Sequence, residues 1–218
     1  MIATTIDWEF NPYKFYNDGY NTGFVPSEIV DKCKQIIKTT TWVGDAPQFA
    51  NWAILKDSTT DELWYEEMVR ARMSYSHAPT AMRNLANEMI DLPFFDPMRK
   101  VFSKKQHAGY SGLRNFVPCA MGLWNKQENI PWHNDITDTS DFFILIYINK
   151  YDWWDAEWGG QIKFGKGDEN GSIKPLHAHY PSNGTFALIN NNNPLFHHSV
   201  VSGNEYQRFT FGLRYRIE

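Results

Sequence analysis

Cysteine is scarce in this chain: two in 218 residues, Cys33 and Cys119, far apart and without the paired spacing of a metal knuckle. That removes a disulfide framework and a cysteine-based zinc site from consideration, and it suits a reducing compartment. Long apolar runs are missing too. The opening MIATTIDWEF has neither a basic nor an apolar signal region, and no stretch approaches the ~18 apolar residues of a bilayer-spanning helix. The expectation is a soluble, cytoplasmic protein with no membrane partner. Basic charge is not in excess either. Lys and Arg number 21 against 25 Asp and Glu, a net charge of −4, and the pI is about 6.0. Nucleic acid is therefore a disfavoured partner, since a phosphate backbone needs a basic footprint. Neither an internal repeat nor a low-complexity linker divides the chain, so a single domain over 1–218 is expected.

What is present is apolar and aromatic. Hydrophobic residues make up 42% and aromatics 16%, including nine Trp, enough for a core without staples. The first 114 residues read as an arm and scaffold helices. Trp8, Phe10, Tyr13, Phe15, Tyr16 and Tyr20 follow no clear period, which suggests an arm packed across the domain or a lid over a pocket. Pro26-Ser27-Glu28 opens a helix whose Ile29, Val30, Cys33, Ile36 and Ile37 form an amphipathic stripe. Further helical regions are expected from about Thr60 through Met73, from Thr80 to Ile90, and briefly from Met98 to Phe102. His77 and His107 are isolated and read as ordinary polar residues.

From residue 115 the pattern turns to β. Short apolar runs at Val117–Trp124, Phe142–Ile148, Gln161–Phe164, Thr185–Ile189, Phe196–Val201 and Arg208–Ile217 are separated by Gly, Asn, Pro and Ser turns. Residues 115–218 are thus expected to form a β-sandwich or barrel backed by the helices.

The chemistry concentrates around His133-Asn134-Asp135. Two residues apart on an extended segment, a His and an Asp leave the same face and supply two ligands of a facial metal site, if a third arrives from elsewhere. Alone the pair is a weak signal. A third candidate stands in Phe196-His197-His198-Ser199-Val200, where the two histidines point to opposite faces and only one can enter a barrel. Arg208 and Arg214 follow on the closing strand. Two imidazoles and one carboxylate suit Fe(II), leaving positions for a chelating cosubstrate and O₂, and a far carboxylate of that cosubstrate needs a cation with fork geometry.

The order His133-x-Asp135, Tyr147-Ile148-Asn149-Lys150, Trp158-Gly159-Gly160, His198-Ser199-Val200 and Arg208 resembles the Fe(II)/2-oxoglutarate-dependent dioxygenases of the prolyl-hydroxylase type. The resemblance covers about residues 117–217. It implies an α+β fold with a mainly β core, a double-stranded β-helix (jelly roll, cupin-like) flanked by N-terminal helices. It implies His133, Asp135 and His198 as iron ligands, with His197 outside, and Arg208 assisted by Tyr147 as the anchor for 2-oxoglutarate. Fe(II) is the implied cofactor, 2-oxoglutarate and O₂ the cosubstrates, and ascorbate an accessory reductant. The reaction implied is hydroxylation of a C–H bond with release of succinate and CO₂, on a peptidyl or free amino acid such as proline, or another small molecule. Asp135 argues for hydroxylation over halogenation, because related halogenases lack the carboxylate. Two other readings stay open: a nucleic-acid base hydroxylase or demethylase of the same superfamily, and a catalytically idle jelly-roll binding module. His177-Ala178-His179 is a second same-face pair, expected to be structural or at a pocket rim.

Overall fold

The computed structural model of the chain describes residues 10–39, 70–73, 80–105, 113–115, 120–124, 130–135, 141–149, 152–200 and 208–217. In chain order its elements are β1 (Tyr20–Phe24), α1 (Ser27–Thr39), β2 (Arg70–Met73), α2 (Thr80–Asp91), α3 (Asp96–Lys105), β3 (Leu113–Asn115), β4 (Ala120–Trp124), β5 (Ile130–His133), β6 (Phe142–Asn149), β7 (Ile162–Gly167), β8 (Ile173–His179), β9 (Thr185–Asn190), β10 (Phe196–Val200) and β11 (Arg208–Ile217). They build two antiparallel sheets. The larger runs β1-β9-β6-β11-β4-β2, with β3 added on β11; the smaller runs β5-β10-β7-β8. A jelly roll with N-terminal helices is the result.

Why β6 is apolar at almost every position follows from where it sits. A strand with one solvated face alternates; one covered on both faces does not. Phe142, Ile144, Ile146 and Ile148 pack with Phe186, Leu188, Phe209, Phe211, Leu213 and Tyr215 against the helices. The alternate residues Phe143 and Tyr147 instead join Tyr20, Ile162, Phe164, Ala187, Ile189 and Phe196 between the two sheets, with Leu145 packed alongside. One strand therefore serves two cores. β11 does the same with a difference that matters for function: its helix-facing residues are apolar, whereas Thr210 and Arg214 occupy the other face.

The helix stripe read from the sequence is the one that packs. Ile29, Cys33, Ile36 and Ile37 of α1 are buried, and burial pushes the Cys33 thiol well above its ordinary range, so it is an inert core residue. Tyr215 donates from its hydroxyl to the Ala86 carbonyl at 3.1 Å, fixing α2 to the sheet. Among the described residues no helix is long and apolar enough to cross a membrane.

Two expectations about the first half are corrected. The aromatic arm is not merely draped over the domain: after a π-helical turn at Lys14–Asp18 it becomes β1 and extends the larger sheet through β9. Residues 70–73 are strand β2, paired with β4, although Arg-Ala-Arg-Met has good helix propensity; tertiary pairing overrides a weak local preference. The rest of that expected helix, and His77 and His107, lie outside the described residues.

The arm is held by backbone geometry as well as by hydrogen bonds. Gly19 sits at φ +85° and donates its N–H to the Lys14 carbonyl. A methyl group there would overlap the ring of Phe196. Gly19→Ala should cost about 1–2 kcal/mol for the left-handed backbone and a further ~1–3 for overpacking. A fall in the urea midpoint at unchanged slope is the expected measurement; an unfolding curve matching the parent would show that the arm does not press on Phe196.

Candidate metal centre

Antiparallel pairing of β5 with β10 sets His133 directly opposite His198. Their ring centroids lie 4.1 Å apart. β5 ends at His133, and Asp135 follows just beyond it, turning its carboxylate toward the same spot. Asp135 Oδ2 is 3.7 Å from His198 Nε2, and one ligand atom from each of the three residues lies within 4.8 Å of the others. His198 is buried at 5% exposure while His133 and Asp135 are half-buried. The cluster thus has a shielded side and an accessible side.

Its protonation suits metal binding. Burial, reinforced by the neighbouring His133 and His197, lowers His198 to about 3, so its imidazole is neutral at ordinary pH and keeps a lone pair for a cation. His133 Nδ1 donates to the Pro131 carbonyl at 2.8 Å, which leaves Nε2 as the free ligand atom. His198 is oriented differently. Its Nδ1 is buried with no hydrogen-bond partner, and the ring is positioned by Phe196, stacked at 5.9 Å, and by Phe143, edge-on at 6.2 Å.

His197 has another place. Its Nδ1 donates to the Leu195 carbonyl at 3.1 Å, and its Nε2 faces the Asn134 amide at 3.5 Å. It stands outside the three-donor cluster. The middle residue of His-Asn-Asp therefore braces the two strands on the face away from the site. That bracing is a role the sequence reading did not foresee, and the adjacent histidines were the signal for it.

Deeper between the sheets, Tyr147 is buried and directly opposite Thr210 in the β6–β11 register. Thr210 Oγ1 is enclosed with no hydrogen-bond partner. Arg208 opens β11, its backbone paired with Asn149 and Trp124. Arg214 lies at the other end, opposite Phe143, with its guanidinium 5.4 Å from that ring. The two arginines are thus separated along the barrel: Arg214 at the level of the metal cluster, Arg208 beyond Tyr147. Two imidazole nitrogens and one carboxylate fit Fe(II) better than a thiolate-seeking ion. The enclosed, unpartnered Thr210 Oγ1 beside Tyr147 fits a small polar ligand.

No family model matches the chain, and no curated protein matches it. Solved structures do. A 2OG-Fe(II) oxygenase family oxidoreductase from Burkholderia pseudomallei superposes with a TM-score of 0.62 at 11% identity, over 93% of this chain and 88% of that one. A Pseudomonas putida prolyl-4-hydroxylase gives 0.55 at 14% identity over the whole of both chains. A Trichoplax adhaerens prolyl hydroxylase, solved with a hypoxia inducible factor peptide fragment, gives 0.54 at 12% over 94% and 86%. Fold and donor set together define the class of architecture: the double-stranded β-helix of 2OG-Fe(II) oxygenases, here carrying a His-x-Asp…His cluster. At such low identities the likeness is one of fold.

Proposed function

We propose that the protein is an Fe(II)- and 2-oxoglutarate-dependent oxygenase that hydroxylates a C–H bond of a peptidyl or free amino acid such as proline. The overall balance is R–H + O₂ + 2-oxoglutarate → R–OH + succinate + CO₂. The observation that carries this is the gathering of His133, Asp135 and His198 within 4.8 Å between the sheets of a jelly roll. When bound, iron would supply O₂ activation and the oxidative decarboxylation of the 2-oxo acid. The chain's own part is to hold and orient. His133 and His198 would offer imidazole nitrogens and Asp135 a carboxylate oxygen to hold it. Tyr147 and Arg208 would receive the far carboxylate of 2-oxoglutarate, a hydroxyl donor beside a permanent cation. The choice of Arg208 is supported by Arg214 lying opposite Phe143, toward the cluster end of β11. The apolar walls built by Phe143, Phe164 and Phe196 limit water. An amino-acyl substrate is supported by the prolyl hydroxylases among the proteins of similar fold.

The test is anaerobic reconstitution with Fe(II), then a screen of free amino acids and proline-containing peptides for stimulated succinate release. A product heavier by one oxygen atom is expected. Tight iron binding without succinate formation on any amino acid or peptide would remove the amino-acyl substrate; failure to bind Fe(II) at all would remove the oxygenase reading.

A further inference from the structure

The histidines of β8 are not used by the metal cluster, and the two have different surroundings. His177 pairs in register with Phe164, and His179 with Ile162. Both partners line the space between the sheets, so both imidazoles are on the barrel side. His177 is accounted for by packing: its ring stacks on Tyr20 at 5.6 Å and 6°, and on Phe164 at 6.2 Å and 8°. His179 has no such explanation. Its ring lies 5.9 Å from that of Tyr147, and its Nε2 is shut off from solvent with no hydrogen-bond partner. Across the barrel, Thr210 Oγ1, on the residue directly opposite Tyr147, is enclosed and unpartnered in the same way.

Two enclosed polar atoms beside one tyrosine are costly unless a ligand meets them. The chemistry of the occupant can be read from the groups. Burial, together with His177, lowers His179 to about 4, so the imidazole is uncharged at neutral pH. A neutral imidazole offers a single N–H, as the Tyr147 and Thr210 hydroxyls each offer a single O–H. Such a set suits a carboxylate whose charge is already met by one cation.

We propose that His179 is a binding residue for 2-oxoglutarate, donating Nε2–H to the far carboxylate beside Tyr147 and Arg208. This rests on the function proposed above and extends it. His179 makes the pocket selective for a dicarboxylate: a 2-oxo acid without the far carboxylate leaves the imidazole and the Thr210 hydroxyl unsatisfied.

The test uses the full chain loaded anaerobically with Mn(II), so that no turnover occurs. Affinities are titrated for the metal, for 2-oxoglutarate and for oxalate, which chelates a metal in a similar way but has no far end. His179→Ala should weaken 2-oxoglutarate binding about tenfold while leaving Mn(II) and oxalate affinities as in the parent. His179→Gln, which keeps an N–H donor, should recover most of that loss. Equal weakening of 2-oxoglutarate and oxalate would mean a merely structural role and overturn the assignment, as would an unchanged affinity for 2-oxoglutarate. A parent protein that binds Mn(II) and 2-oxoglutarate normally while His179→Ala has no effect overturns this inference alone. A parent that binds neither overturns the proposed function with it.

Discussion

Replacing His198 by alanine is expected to abolish Fe(II) binding, with His133→Ala doing the same in a protein that still folds. Removal of a partner that only orients a ligand costs 10–100-fold in metal affinity, so loss of a ligand itself should cost at least ~100-fold. The pair of variants matters because the two sites differ in burial. His198 is buried, and truncating it leaves a gap beside Phe196 and Phe143 that can lower stability by itself. His133 is half-buried, so a loss of iron there is free of that complication. His197→Ala is the matched control: it removes an imidazole from the same strand but from outside the cluster, and a measurable share of activity should remain. Dialysis of each variant against limiting Fe(II), with thermal unfolding in parallel, gives the answer. Near-parental iron affinity in both His133→Ala and His198→Ala would end the metal assignment. Iron lost only in His197→Ala would mean the strand is read one residue out of register, which flips each side chain to the other face.

Arg208→Ala is expected to raise the KM for 2-oxoglutarate by tenfold or more while iron affinity barely changes. Truncating one member of a buried, hydrogen-bonded charge pair costs about 2–5 kcal/mol, most of it from the carboxylate left without its cation. Tyr147→Phe should act in the same direction with a smaller effect, about 1 kcal/mol for one hydrogen bond. Arg214→Ala discriminates, because it removes a cation at the level of the metal and not beyond Tyr147. An increase in KM confined to Arg214→Ala would show that the cosubstrate lies the other way along the barrel. The three-donor cluster would survive that outcome; the assignment of the anchor would not.

The three donors that meet in the structure were legible in the sequence because their signals are short and ordered. His133 and Asp135 are two residues apart, and β10 and β11 are apolar enough to be read as strands carrying His198 and Arg208. Other parts were not legible, each for a physical reason. β8 reads Ile-Lys-Pro-Leu-His-Ala-His; it is an edge strand, mostly exposed, with Pro175 and a register shift near Leu176, so it lacks the apolar run that marks a strand. The same-face pair His177 and His179 is visible there, but without the pairing of β8 on β7 His179 could not be set beside Tyr147. β1 has no pattern of its own, since Tyr-Asn-Thr-Gly-Phe becomes a strand only through its pairing with β9. Arg208 and Arg214 share one face of β11 by alternation, so the pattern alone does not choose between them; the register against β6, with Arg208 opposite Asn149 and Arg214 opposite Phe143, is not readable from the sequence.

The docking of the arm also constrains the order in which the chain becomes native. Asn190 donates to the Phe15 carbonyl at 2.9 Å, Val25 N–H to the Gly184 carbonyl at 2.8 Å, and β1 finds its only partner strand among the described residues in β9. These contacts join the first described residues to segments synthesised long after them, 175 residues later for Asn190 and Phe15. During translation the arm must wait, with Phe10 and Phe15 uncovered, until β9 has emerged and paired with β6. Closing so distant a pair is entropically expensive and slow. The exposed aromatic arm is then the natural place for a chaperone to hold, and for nascent chains to aggregate when folding is delayed.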